Sequence, residues 1–281
     1  MSALSQDSKQ KTTTLFHSNP VLSRLSKVTE RTETDAASYM GIAIKTCYFL
    51  VITLVGMIAQ LIVGGIFAKE PVWQSFEVYE NFAVTLSQKE TVALVAVLIL
   101  GFVCEMIGIF ARKTIPVTGT IYAASQGYVI SFLVFKVLKG YEYLGLEALL
   151  LTVAVVAVMS FLYSSGLVRG GKKFRTVLLT LILGSVGVGL LSFIGSLIPA
   201  TRPYVQAMTQ NSLITITVDL VGTLIAAMFL ISDFSMIDDC VQEGYPKEYE
   251  WAAAFGLVFT VIWIYLKILD LVMQLAGKNK D

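Results

Sequence analysis

Residues 1–40 are dominated by Ser, Thr and charged side chains, and from there long apolar runs alternate with short polar breaks to the end of the chain. The runs are Thr46 to Ala68, Thr91 to Ala111, Ile115 to Val137, Leu146 to Val168, Thr176 to Ala200, Ser212 to Ile237 and Trp251 to Ala276. Each is long enough to cross a hydrocarbon core about 30 Å thick at about 1.5 Å per helical residue. Inside a bilayer the backbone must satisfy its own polar groups, and these runs are too long and too uniformly apolar for barrel strands, so they predict helices. The expected fold is all-α: a polytopic membrane protein with seven transmembrane helices in one membrane domain over 41–277. A polar tail, 1–40, precedes it, expected to be cytoplasmic and largely disordered, and a short polar end, 278–281, follows. The third run carries Gly119, Ala123, Gly127 and Ser131 at four-residue spacing, a ladder of small side chains that predicts a close helix–helix seam.

Composition supports a lipid setting. Of 281 residues 56% are hydrophobic and 15% charged, where soluble domains carry about 25% charged residues. The formal net charge of +1 excludes a general basic surface for nucleic acid, so no nucleic-acid partner is expected. The tail lacks the apolar core of a signal peptide. Cys47, Cys104 and Cys240 lack metal-ligand spacing and read as three buried thiols. Lys and Arg resist translocation, and roughly twice as many fall on the side of the tail as on the other. The tail side holds Lys9, Lys11, Arg24, Lys27, Arg31, Arg112, Lys113, Arg169, Lys172, Lys173, Arg175 and Lys247; the other holds Lys69, Lys89, Lys139, Arg202, Lys278 and Lys280. This bias places the N-terminus in the cytoplasm and the C-terminus outside, in the cell (plasma or inner) membrane.

Ionisable residues inside the hydrocarbon cost about 2.5–3.5 kcal/mol on insertion scales, and each invites a role and a partner. Asp219 and Asp233 lie on the sixth span about 21 Å apart in rise and on nearly the same helical face. Gly222 and Ala226 share that face, a stripe expected to turn inward as the lining of a polar path. The bland alternative is that Asp219 accepts hydrogen bonds from a Ser, Thr or Tyr and fixes packing. An apolar surrounding penalises a charged carboxylate, and a second acid penalises it further, so Asp233 can work as a proton-operated latch. Its bland alternative is a helix-end carboxylate reached by water. Glu105 sits deep in the second span between Gly101 and Gly108, with Arg112 on the same approximate face, and is expected to pair across helices. Lys267 and Asp270, three residues apart on the last span, are expected to neutralise each other. Asp238, Asp239, Glu243, Glu248 and Glu250 make the sixth loop acidic, able to concentrate cations at a pathway mouth, and Gly244 and Pro246 mark a short turn there.

Three segments together resemble a known family. Ser232 to Leu269, SDFSMIDDCVQEGYPKEYEWAAAFGLVFTVIWIYLKIL, is similar to the sixth helix, loop and seventh helix of the Bax inhibitor/YccA family, the transmembrane Bax inhibitor motif proteins, in a bacterial branch. Tyr163 to Arg175, YSSGLVRGGKKFR, resembles the junction of its fourth and fifth helices, and Asn19 to Leu25, NPVLSRL, its N-terminal start. The resemblance implies six helices around a central seventh and, for some members, a calcium leak gated by pH. There, two aspartates on the sixth and seventh helices share a proton and close the path. Asp233 matches the first. The second has no counterpart, since Phe255 to Ile264 contains no acid and Thr260 stands about where it would fall. Glu105, Glu250 and Arg112 are the alternative partners for Asp233.

Two functions follow. The first is a cation leak gated at Asp233, with Glu105 and Asp219 as pathway ligands. Calcium is its favoured ion because carboxylate oxygens suit it and because of the resemblance; Asp233 is the candidate calcium contact, and no resident cofactor is expected. The second is a non-conducting membrane protein that regulates stress responses or a membrane protease through protein partners. Enzymatic readings are weaker. The one histidine, His17, lies in the polar tail, so no Ser/His or His-bound zinc site can be built, and two carboxylates about 21 Å apart cannot share one water. Lys267 invites comparison with retinal proteins, but their N-terminus lies on the opposite side.

Overall fold

The computed structural model describes residues 36–67, 70–79, 82–168, 170–210 and 212–278. Most of the expected tail, including the Asn19 to Leu25 segment, lies outside these. The first helix, α1, is Tyr39–Phe67, followed by two strands, β1 at Val72–Tyr79 and β2 at Phe82–Ser87. The remaining helices are α2 Gln88–Phe110, α3 Ile115–Phe132, α4 Tyr143–Ser164, α5 Lys172–Leu197, α6 Arg202–Gln210, α7 Ser212–Gln242 and α8 Tyr249–Lys278. Among the described residues seven helices are long and apolar enough to cross a membrane, so the expected all-α, seven-span architecture holds. The sixth and seventh spans are α7 and α8.

The helices begin and end where local chemistry lets them. Ser87 caps α2 by accepting from the Glu90 N–H, while Glu90 accepts the Ser87 N–H in return, a reciprocal box that satisfies two otherwise orphaned donors. Pro116 enters the first turn of α3, where its missing N–H leaves nothing unpaired. The last turn of α3 widens into a π-helical turn over Leu133–Val137. Thr46, Thr53, Thr118, Thr120, Ser125 and Thr152 each return their hydroxyl to the carbonyl four residues back. These polar side chains therefore present no unmet donor to lipid.

Helix α8 is the pivot of the bundle. In its most apolar stretch 67% of residues are buried, against 61% for the third span and 6% for the fifth. Helices α1, α3, α4 and α7 all pack on α8, α2 joins through α3, and α5 packs mainly on α6 and α7. The implied ring of six around a seventh is thus uneven: α3 shares the centre and α5 lies at the edge. The small-residue ladder is the seam expected of it. Gly127 meets the Thr53 carbonyl of α1 so closely that a Cβ would overlap it, and Gly56 meets the Ala124 carbonyl in the same way. Gly119 faces Phe49 and Phe255, and the Ser131 hydroxyl donates to Gln60 Oε1 at 2.8 Å.

Four details differ from the sequence expectations. The loop after the first span contains an antiparallel hairpin, with Ser75 opposite Thr85 and Phe76 opposite Val84. The loop before the sixth span contains α6. Order begins before residue 40: Ala36 bridges Pro246, the Ala37 N–H donates to the Tyr245 carbonyl at 2.7 Å, and α1 starts seven residues earlier than Thr46. Cys104 and Cys240 are buried thiols, but Cys47 is exposed because it lies on the outward face of α1.

Candidate functional site

Helix α7 runs on past Ile237 to Gln242, which changes the standing of Asp233. Roughly 14 Å of rise separates it from the helix end, and the residue is fully buried, so it is no helix-end carboxylate in contact with water. Ala226 is fully buried and Asp219 nearly so, and a Cβ on Gly222 would face the Lys267 side chain. The stripe of Asp219, Gly222, Ala226 and Asp233 therefore turns into the bundle along its length. Thr260 of α8 is 1% exposed and lies within about a turn of the depth of Asp233.

Asp219 differs in its partners from the sequence expectation. Lys267 Nζ lies 3.3 Å from Asp219 Oδ1, and Gln274 Nε2 donates to Oδ2 at 2.5 Å. Lys267 thus reaches across to Asp219 on α7. The reason is geometric: a long lysine stem on α8 can lie over Gly222, whose missing side chain leaves the room. Asp219 is held by a cation and an amide, not by a hydroxyl.

The sixth loop and its surroundings form a second polar centre at the other end of the α7–α8 pair. Glu250, fully buried, binds Lys45 of α1. It also accepts the Ser38 N–H at 2.8 Å and the Ser38 hydroxyl at 3.1 Å. A Cβ at Gly41 would run into this carboxylate, so glycine there lets α1 close on it. Arg112 binds Glu248 at 3.5 Å and lies 3.7 Å above the Tyr249 ring, a placement the continuation of α2 alone does not give, because α2 stops at Phe110. Asp238 accepts from the Tyr39 hydroxyl at 2.9 Å and the Tyr163 hydroxyl at 2.5 Å. Burial first, then the Glu243 carboxylate, push the Tyr245 phenol above its ordinary range, so it stays neutral. Gly244 makes the expected turn with φ +65°, a conformation that favours glycine.

Glu105 is half-buried on α2. Its flanking glycines are the contact points, Gly101 against Ser125 and Gly108 against Phe255 and Thr118. Among the described residues it makes no ion pair, so the expected cross-helix pairing is not seen there. A pair that sequence reasoning missed lies at the far end of the same helix, where Lys136 Nζ binds Glu90 Oε1 at 2.5 Å. The signals were present: Ser87-x-x-Glu90 before an apolar run, and a lysine inside the third run. Among the described residues no three His, Cys, Asp or Glu side chains converge as a metal site.

These features define a class: a helical membrane protein of seven spans whose most buried helix carries Glu250, Lys267 and Gln274 as partners for charges on its neighbours. The family model described as Bax inhibitor 1 like matches residues 19–277, and the chain belongs to that family. Searches of curated proteins and of solved structures each found no match.

Proposed function

We propose that the protein is a pH-sensitive cation leak of the cell (plasma or inner) membrane, with a cytoplasmic N-terminus, calcium as its favoured ion and Asp233 as its proton-operated gate. The observation that carries the reading is the position of Asp233: fully buried, roughly 14 Å inside the end of α7, on a stripe that also holds Asp219. Thr260, at a similar depth on α8, supplies a hydroxyl where the resemblance implied a second aspartate. In this reading Asp233 and Asp219 are successive oxygen contacts along a path, each weak enough to release the ion.

The test is calcium flux into liposomes carrying the purified chain between about pH 5 and pH 8, the range in which buried carboxylates change charge, for the native protein and Asp233→Asn. A pH-dependent leak in the native chain that loses its pH dependence in the variant supports the gate. No flux at any pH from a folded, monodisperse protein sinks it.

The pairing of Asp219 with Lys267 and Gln274 favours a second reading, in which the buried charges are ties between helices and the chain acts by contact with other membrane proteins. That reading expects Asp233→Asn to leave cellular function intact, and changes in the tail or the sixth loop to abolish it.

A further inference from the structure

A cavity of about 440 Å³ opens between α1 and α4, because α1 packs on α3 and α8 while α4 packs on α7 and α8. Its rim is apolar and exposed, with Leu54, Leu146 and Leu149 about half to three-fifths exposed. Its floor is buried, formed by Thr53, Val134 of the π-helical turn, Gly145, Thr152 and Tyr265. Every hydroxyl there already spends its proton: Thr53 donates to Phe49 O at 3.0 Å, Thr152 to Ala148 O at 2.7 Å and Tyr265 to Gly145 O at 3.3 Å. Water entering would find no free hydroxyl donor and mostly apolar walls, so the floor suits an apolar occupant.

We infer that this cleft binds one acyl chain of a bilayer phospholipid whose amine-bearing, zwitterionic headgroup rests on Glu142 and Lys139. Both helices at the mouth are membrane spans, so the medium facing the cleft is lipid. Along α4 the lining runs from Glu142 to Thr152, about 15 Å of rise, or half a hydrocarbon core about 30 Å thick. That is the depth of a single leaflet. The polar end of the lining is charged: Glu142 is exposed and accepts the Gly140 N–H at 2.9 Å, which holds its carboxyl below the usual range, and Lys139 lies near enough to lower it further. Its anion faces an ammonium and the lysine a phosphate. Tyr141 and Tyr143, with ring centres 6.2 Å apart, flank this site at the level where aromatic side chains sit in membrane interfaces. The cleft is shaped by two backbone features. The π-helical turn brings Val134 into the floor, and Gly145 admits it, since a Cβ there would lie 2.7 Å from the valine. π-Turns inside helices often mark functional sites.

The test uses the full chain reconstituted in nanodiscs of equal phosphatidylethanolamine and phosphatidylglycerol, with phosphatidylethanolamine carrying a photoreactive acyl chain as the probe. Cross-links are expected to concentrate on Leu54, Val134 and Leu149, and phosphatidylethanolamine to be the lipid retained through detergent washing. Leu149→Trp, which fills the mouth, should cut retention by about tenfold through lost acyl contact. Glu142→Gln, which changes no packing, should reduce the preference for the amine headgroup by about two- to fivefold, as an exposed ion pair allows. Cross-links spread evenly over lipid-facing α5, equal retention of the two lipids, recovery of a free fatty acid instead, or an unchanged preference in Glu142→Gln would each overturn the assignment.

Discussion

Lys45, Lys136 and Lys267 each carry a charge into the bundle from a different helix, and each meets a carboxylate far away in sequence: Glu250, Glu90 and Asp219. Removing one member of a buried pair leaves a charge with neither water nor counterion. Lys45→Met should therefore destabilise the protein by about 3 kcal/mol, read as a lowered midpoint in thermal unfolding in detergent. Lys89→Met, which breaks the exposed pair with Glu70, should change stability by less than about 1 kcal/mol. A double-mutant cycle on Asp219→Asn and Lys267→Met should return a coupling of about 0.5–3 kcal/mol; a coupling of zero would mean that the two groups do not meet. Asp219 and Asp233 were legible in the sequence as inward-facing positions because helical periodicity fixes which side a residue takes, while Thr260 was singled out only through the family resemblance. Their partners were not, because periodicity within one helix says nothing about which face of another it meets. Spacing along α8 could set Lys267 near Asp270, but that it also meets Asp219 depends on how α7 packs on α8.

At the scale of elements, the α1–α3 seam depends on two points where backbones touch. Gly56→Leu and Gly127→Leu each place a side chain where a carbonyl of the other helix stands, so the helices must separate along their contact. Both variants are expected to abolish monodisperse folded protein, whereas Gly184→Leu on open α5 should elute unchanged in size-exclusion chromatography. The seven long helices were readable from apolar runs, since a run that spans a bilayer has few alternatives. Their ends were less so. Helix α7 runs on through the polar Asp238, Asp239 and Gln242 because Tyr39 and Tyr163 accommodate Asp238 beyond the apolar stretch. The hairpin did have a signal, an alternation at Phe82, Val84 and Leu86 that fits a two-residue period, but it is short and lies beside much stronger helical runs.

For the whole molecule, the contacts of Ala36 to Ser38 with Tyr245, Pro246 and Glu250 set the start of α1 and the sixth loop on one side of the membrane. With cysteine-free background variants, an impermeant thiol reagent should modify Glu243→Cys and Ser38→Cys from the same side of sealed vesicles, and Ser75→Cys only from the other. The proposed orientation, which rests on the lysine and arginine bias, makes the first side the cytoplasm, and labelling of Glu243→Cys from the outside of intact cells would overturn it. The class of the molecule was plain from composition, and its family from the stretch that forms α7 and α8. What the sequence left open is how evenly the spans share the centre, since α5 is as apolar as its neighbours yet only 6% of its most apolar stretch is buried.

The tie between the start of the described chain and Glu250 also has a mechanical meaning. Ala37 and Ser38 are fastened to the loop and first turn of α8, the helix against which four others rest. Tension applied to the chain upstream of Ala36 is therefore delivered to the head of that helix before it reaches α1. A binding partner that grips the first 35 residues holds a handle on the axle of the bundle, and the force needed to peel Ser38 from Glu250 sets the load at which that handle comes away.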